Sequence, residues 1–249
     1  DPYLSGKLAA GYVRGIQSVG VSACPKHFAA NNQELRRMAS NSVLDERTLR
    51  ELYLTGFEIA VKEGGPKCIM TSYNRVNGTY ANENHHLLQD ILHGEWGYDG
   101  AVVTDWGGSN DHVEGVREGS TLEMPCPGFG SAKRLMQAVE EGRLPESAVD
   151  ARVDELLELV FTTDAAVQAA PKRFDRDAHH ALARRAAAES VVLLKNEDDL
   201  LPLKPGQRVA LIGDFAQTPR YQGAGSSSVN ATRVDNLKDA AEADDITLA

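Results

Sequence analysis

Cysteine, aromatic residues and positive charge are all scarce in this sequence, and it contains no long apolar run. Its three cysteines, Cys24, Cys68 and Cys126, cannot all pair with one another. Cys24 and Cys68 fall in apolar runs that read as strands, where a free thiol packs as a small hydrophobe, so a disulfide framework is not indicated. Lysine and arginine total 26 against 36 aspartates and glutamates, a formal charge of -10 that repels a phosphate backbone and makes nucleic acid a poor candidate partner. Every apolar run is far shorter than the roughly 20 residues that a membrane helix needs, so no membrane role is expected. No signal-peptide pattern opens the chain, which favours the cytoplasm slightly over a periplasmic or secreted location. The opening Asp1-Pro2-Tyr3-Leu4-Ser5-Gly6 reads as the middle of a loop, so a targeting segment could lie upstream.

What is present is the balance of a chain that can bury a core, 42% hydrophobic and 25% charged. Short β-like runs alternate with amphipathic helices, the pattern of a parallel sheet built from strand-helix units. Gly20 to Cys24 leads into Pro25-Lys26-His27, Lys67 to Ser72 into Tyr73-Asn74, Ala101 to Thr104 into Asp105-Trp106, and the weaker Thr121 to Met124 into Pro125. The first three runs end in residues with chemical potential, and a parallel β/α barrel gathers such residues at the C-terminal ends of its strands. Asp45 can cap a helix whose Leu49, Leu52, Tyr53, Gly56, Phe57 and Ala60 share one face, and Gly64-Gly65-Pro66 stops it. Further helices are expected over Asn84 to His93, Ser131 to Glu141 and Glu146 to Phe161.

Periodicity lapses between Thr162 and Arg173, which reads as an interdomain linker. The expected organisation is a barrel portion over 1–161, a linker over 162–174 and the beginning of a second α/β domain over 175–249, with a helix from Asp175 to Asn196 and a buried parallel strand from Arg208 to Gly213. A closed barrel needs eight units and about 250 residues, whereas this chain supplies half of them. The functional protein is therefore expected to be longer at both ends, or to assemble from complementary pieces.

Asp105 stands at a strand mouth beside Trp106, whose indole offers a stacking face for a sugar. Such a carboxylate could attack an anomeric carbon if a second carboxyl protonates the leaving oxygen; it could equally ligate a metal or cap the next helix. Lys26 and His27 could hold sugar hydroxyls, or be a surface lysine beside a backbone-bound histidine. Tyr73 could donate to the Asp105 carboxylate, or be a rim aromatic. His85-His86 and His179-His180 are adjacent on helices and point apart, which makes poor metal sites. Gly223-Ala224-Gly225-Ser226 is half of a dinucleotide fingerprint, but Ser228 stands where the third glycine belongs.

Lys26-His27-Phe28-Ala29-Ala30-Asn31-Asn32-Gln33-Glu34, Met70-Thr71-Ser72-Tyr73-Asn74 and Thr104-Asp105-Trp106-Gly107 together resemble glycoside hydrolase family 3. The likeness continues through Leu122-Glu123-Met124-Pro125 and through Ala186 to Asn196, which is similar to the start of the family's second domain. The resemblance implies the C-terminal part of a (β/α)8-type barrel followed by the start of an α/β sandwich domain. It implies Asp105 as nucleophile, Lys26 and His27 on the hydroxyls of the sugar being cleaved, Tyr73 beside the nucleophile, Met70 lining the same pocket, Trp106 on the aglycone side, and Ser226 in a second-domain loop over the pocket. The family's sugar-binding aspartate and arginine would precede Asp1. Its N-acetylglucosaminidase branch uses a histidine acid from the loop after Lys-His-Phe, but Ala29-Ala30-Asn31-Asn32 contains none, so the acid/base is expected to be a glutamate beyond Ala249.

The function so implied is retaining hydrolysis of terminal β-D-glucosidic bonds in a β-glucoside or oligosaccharide through a covalent glycosyl-enzyme, with no metal or organic cofactor. The alternatives are a β-xylosidase, an enzyme acting on both sugars, or a carbohydrate-binding remnant without turnover. The segment by itself is expected to be unstable and inactive, because a half-barrel cannot close its sheet.

Overall fold

The computed structural model describes residues 1–170 and 173–249, in two units, Asp1–Phe174 and Asp175–Ala249. In the first unit the chain opens with a helix where a loop was expected. In α1 (Pro2–Gln17) the side chain of Asp1 accepts from the N–H groups of Tyr3 and Leu4 at 2.9 and 3.1 Å. Pro2 follows in the first turn, where its fixed φ suits a helix and its missing donor costs nothing.

The centre of this unit is a row of parallel segments. β2 (Cys68–Met70) and β5 (Ala101–Val103) pair in register, and single bridges extend the row to Phe28 on one side, through Thr71, and to Leu122 on the other, through Val103. Four segments thus lie side by side in chain order. Both strands are buried along their whole length, as expected of strands covered on two faces. Ile69 and Val102 point into the main core with Phe28, Leu49, Leu54, Leu87, Ile91 and Trp96, whereas Cys68, Met70 and Val103 form a smaller cluster with Leu122 and Met124. Two environments alternating along one strand follow from its period of two. Phe28 anchors the main core through edge contacts with Phe57 and Trp96, at centroid distances of 5.2 and 5.9 Å.

The first expected strand, Gly20 to Cys24, is not a regular strand. Its backbone does run beside β2, since the Ala23 and Pro25 carbonyls accept from Cys68 and Met70 at 3.3 and 3.1 Å. Pro25 has no N–H to return, which interrupts the ladder at that point. The expected strand at Thr121 to Met124 is likewise reduced to the Leu122 bridge.

Around the row, α2 spans residues 46–64 with Asp45 as its cap, accepting from the Thr48 N–H at 2.7 Å, and it stops at Gly65, whose φ of 62° suits glycine. Leu49, Tyr53, Phe57 and Ala60 face the interior as expected, but Leu52 is 59% exposed and Leu54 is buried. The turns Leu49–Leu54 and Ala60–Gly64 are π-helical, and their extra residue per turn rotates the apolar face away from a strict 3.6-residue repeat.

Between β2 and β5 come β3 (Arg75–Val76) and β4 (Thr79–Tyr80), a hairpin that β1 (Asn41–Ser42) joins in parallel, then a single 3-10 turn at Ala81–Glu83 and the helix α3 (His86–Glu95), which is π-helical throughout. After β5 follow α4 (His112–Glu118), α5 (Phe129–Glu140) and α6 (Glu146–Ala169). The last runs eight residues past Phe161, so residues 162–169 of the expected linker are helical; its Pro171 and Lys172 lie outside the described residues.

In the second unit α7 (Arg176–Glu189) is capped by Asp175 and ends well before Asn196. The β-branched pair Val191-Val192 then follows, a poor continuation for a helix. β6 (Arg208–Val209) pairs in parallel with β7 (Thr247–Leu248), which follows α8 (Leu237–Ala243). The strand expected from Arg208 to Gly213 is thus parallel, but it is short and not buried, and Ile212 is 91% exposed. No described layer of this unit covers it.

Candidate active site

Asp105 follows directly on the end of β5. Thr104 is buried, donates its N–H to the Leu122 carbonyl at 3.1 Å and accepts from the Met124 N–H at 2.8 Å on its hydroxyl. These bonds keep the backbone extended past the strand, and the period of two then puts Asp105 on the face of Val103. One carboxylate oxygen, Oδ1, accepts from the Trp106 N–H at 2.8 Å; the other, Oδ2, lies 3.1 Å from His27 Nε2. The turn beyond is drawn back onto the row, with the Gly107 N–H donating to Met124 at 2.7 Å and the Gly108 N–H to the Asp105 carbonyl at 2.8 Å.

His27 and Asp105 are thus brought together from two segments of the row. Burial pushes the His27 pKa down, against the pull of the Asp105 carboxylate and with help from Lys26 and Arg37. At neutral pH the ring is therefore neutral and can offer Nε2–H to Oδ2. Tyr73 joins them, buried; its hydroxyl donates to the Trp106 carbonyl at 2.9 Å and also lies within reach of the Asp105 carboxylate. Burial, and then the neighbouring Asp105 charge, raise its pKa, so the phenol keeps its proton. Trp106 leaves 52% of its surface open beside the carboxylate.

Of the other expected site residues, Met70 is buried in the cluster with Cys68 and Val103. Lys26 is exposed and lines a recess with Pro2, Tyr53 and Phe57, between α1 and α2. Ser226 belongs to the second unit, exposed in the turn Gly225–Ser227. Sequence reasoning passed over Arg37, whose guanidinium sits 4.5 Å from the Tyr73 ring centroid and pairs with Glu34 at 2.5 Å. The only available signal was its place shortly after the Lys26 to Glu34 run.

Among the described residues no group of three or more histidine, cysteine, aspartate or glutamate side chains could hold a metal ion. His85 contacts Glu118 at 2.6 Å, and His86 contacts Asp90 and Glu46 at 3.0 Å each. A carboxylate fixed by one backbone N–H, beside a neutral imidazole and an open aromatic face, has the chemistry of a nucleophile or of a base.

The glycosyl hydrolase family 3 N terminal domain matches residues 1–159, and the C-terminal domain of the same family matches residues 191–247. Thermostable beta-glucosidase B of Acetivibrio thermocellus is 51% identical over 95% of this chain and 31% of its own length. An exo-alpha-(1->6)-L-arabinopyranosidase of Bifidobacterium breve is 44% identical over 96% of this chain and 32% of its own length. The chain thus spans about a third of the length of the curated relatives it matches. Among solved structures, the Bifidobacterium adolescentis GH3 beta-glucosidase superposes with a TM-score of 0.92 at 43% identity, covering 100% of this chain and 37% of that one. Beta-glucosidase 3B of Thermotoga neapolitana in complex with glucose superposes at 0.93 and 36% identity, covering 100% and 36%. With its larger unit matched almost end to end, the chain belongs to glycosyl hydrolase family 3.

Proposed function

We propose that this chain carries the nucleophile of a retaining β-glucosidase. The observation that carries the reading is the setting of Asp105, held through Oδ1 by the Trp106 N–H, faced at Oδ2 by His27 and flanked by an open indole. In the first step Asp105 attacks the anomeric carbon and displaces the aglycone, which takes a proton from a second carboxyl group; water then releases the sugar with net retention. A glutamate outside this chain serves as that acid/base, about 5–5.5 Å from Asp105, as retention requires. Lys26, His27 and Met70 line the subsite of the sugar being cleaved, Tyr73 steadies the nucleophile's loop, and Trp106 borders the aglycone. The four parallel segments in chain order support the reading of residues 1–161 as the C-terminal part of a (β/α)8-type barrel; residues 175–249 are then the start of the sandwich domain.

The test is to incubate the protein that carries this chain with a 2-fluoro-glucoside bearing a good leaving group and to map the label by peptide mass spectrometry. Label on Asp105 is expected; label on another carboxylate would overturn the assignment. A second reading, hydrolysis of α-L-arabinopyranosides, is favoured by the 44% identical relative of that name. Comparing initial rates on nitrophenyl β-glucoside and nitrophenyl α-L-arabinopyranoside separates the two.

A further inference from the structure

Asp105 and Tyr73 come from adjacent strands, and the short turn at Ala81–Glu83 holds the continuation of both. Asn82 is fully buried and accepts from the Thr71 hydroxyl at 3.0 Å, two residues before Tyr73. Glu83, half-buried, accepts on one oxygen from the N–H groups of Asn110 and Asp111, at 3.1 and 2.5 Å, where the loop after Asp105 enters α4. Asn84 then takes the Leu87 N–H at 3.1 Å and starts α3. The turn also lies tight against α4, since a Cβ on Gly115 would stand 2.9 Å from the Asn82 side-chain nitrogen.

We propose that this turn is a bracket that sets the Asp105 loop against the Tyr73 strand, with Glu83 as its positioning residue. The proposal rests on Asp105 being the nucleophile. At its near end the loop is tied by Gly107 to Met124, by Gly108 to the Asp105 carbonyl and by Tyr73 to the Trp106 carbonyl. Glu83 supplies the far tie. Without it, Ser109 and Asn110 can drift, and the drift is passed to Trp106, whose N–H fixes Oδ1 of the nucleophile. Two backbone N–H groups converging on a desolvated carboxylate make stronger bonds than neutral acceptors do. A side chain that only filled space would not need both donors to converge on one oxygen.

The experiment compares E83A, E83D and E83Q in the full protein that carries this chain, reading nitrophenyl β-glucoside kinetics, melting temperature and hydrogen exchange of the 106–110 segment. E83A is expected to lower kcat by about 10- to 100-fold with KM changed by less than about threefold, the pattern of a misplaced reacting group. Exchange at 106–110 rises in parallel. E83D is too short to reach both N–H groups and behaves like E83A, while E83Q keeps the accepting oxygen and most of kcat. If E83A does not fold, the contrast between E83D and E83Q carries the test. A wild-type kcat in E83A or E83D, or equal loss in E83D and E83Q, would overturn the proposal. Loss of kcat without a change in exchange at 106–110 would overturn it as well. A wild-type protein that turns over no β-glucoside would instead sink the glycosidase reading, and the exchange data would still report whether Glu83 holds the loop.

Discussion

Asp105 and His27 face each other across one gap, and their chemistry predicts two different outcomes. Asp105→Asn keeps the shape and the acceptor for the Trp106 N–H but removes the oxygen that the proposed covalent step needs, so kcat is expected to fall by at least about three orders of magnitude with melting temperature nearly unchanged. Steady-state kinetics beside a thermal melt checks this. His27 is partly buried with its pKa held below the ordinary 6.5, so between the folded and the unfolded pKa the unfolded chain binds more protons. Stability therefore rises with pH through that window and is lost as the pH falls below about 6.5. His27→Gln, which cannot titrate, should flatten this acid limb, as melts between pH 5 and 7.5 would show.

At the scale of elements, α2 shows how a helical repeat read from sequence can slip. Its π turns bury Leu54 and expose Leu52, so Leu54→Ala is expected to cost about 2–5 kcal/mol of stability and Leu52→Ala within about 0.5 kcal/mol. A 3.6-residue projection ranks them the other way, and urea titration of the two variants decides. The hairpin of β3 and β4 was legible and was passed over: Asn77-Gly78 between Val76 and Thr79 is a strong short hairpin signal, and both residues adopt positive φ, 51° and 98°. Asp1-Pro2 was a second missed sign, since aspartate before proline is a helix start. α2 is also tied to α3 at its surface, where Arg50 forks onto Glu95 at 2.5 and 2.7 Å and His86 reaches Glu46. Pairing with Asp90, and then with Glu46, raises the His86 pKa.

For the molecule as a whole, the two units differ in what they bury. The main core and both smaller clusters lie in the first unit, whereas in the second Leu194 and Ile212 are each 91% exposed. Exposed apolar side chains in such numbers mark surfaces that need a partner or further chain. Expressed alone, the 249 residues are therefore expected to self-associate and to hydrolyse no glucoside, which size-exclusion chromatography and an activity assay would check. A soluble, active monomer would refute this.

The sequence by itself determined the two central strands, the residues that follow them and the family resemblance, because these depend on local period and on the order of short motifs. Asp105, Tyr73 and His27 could be named from their places after apolar runs. Only the tertiary structure decided that His27 stands 3.1 Å from Asp105 and that Tyr73 serves the Trp106 carbonyl. It alone showed that Arg37 covers the tyrosine ring and that Glu83 accepts from the N–H groups of Asn110 and Asp111. Those contacts join residues tens of positions apart in the chain, and a local pattern carries no record of which distant donor meets which acceptor until the packed row of strands brings them together.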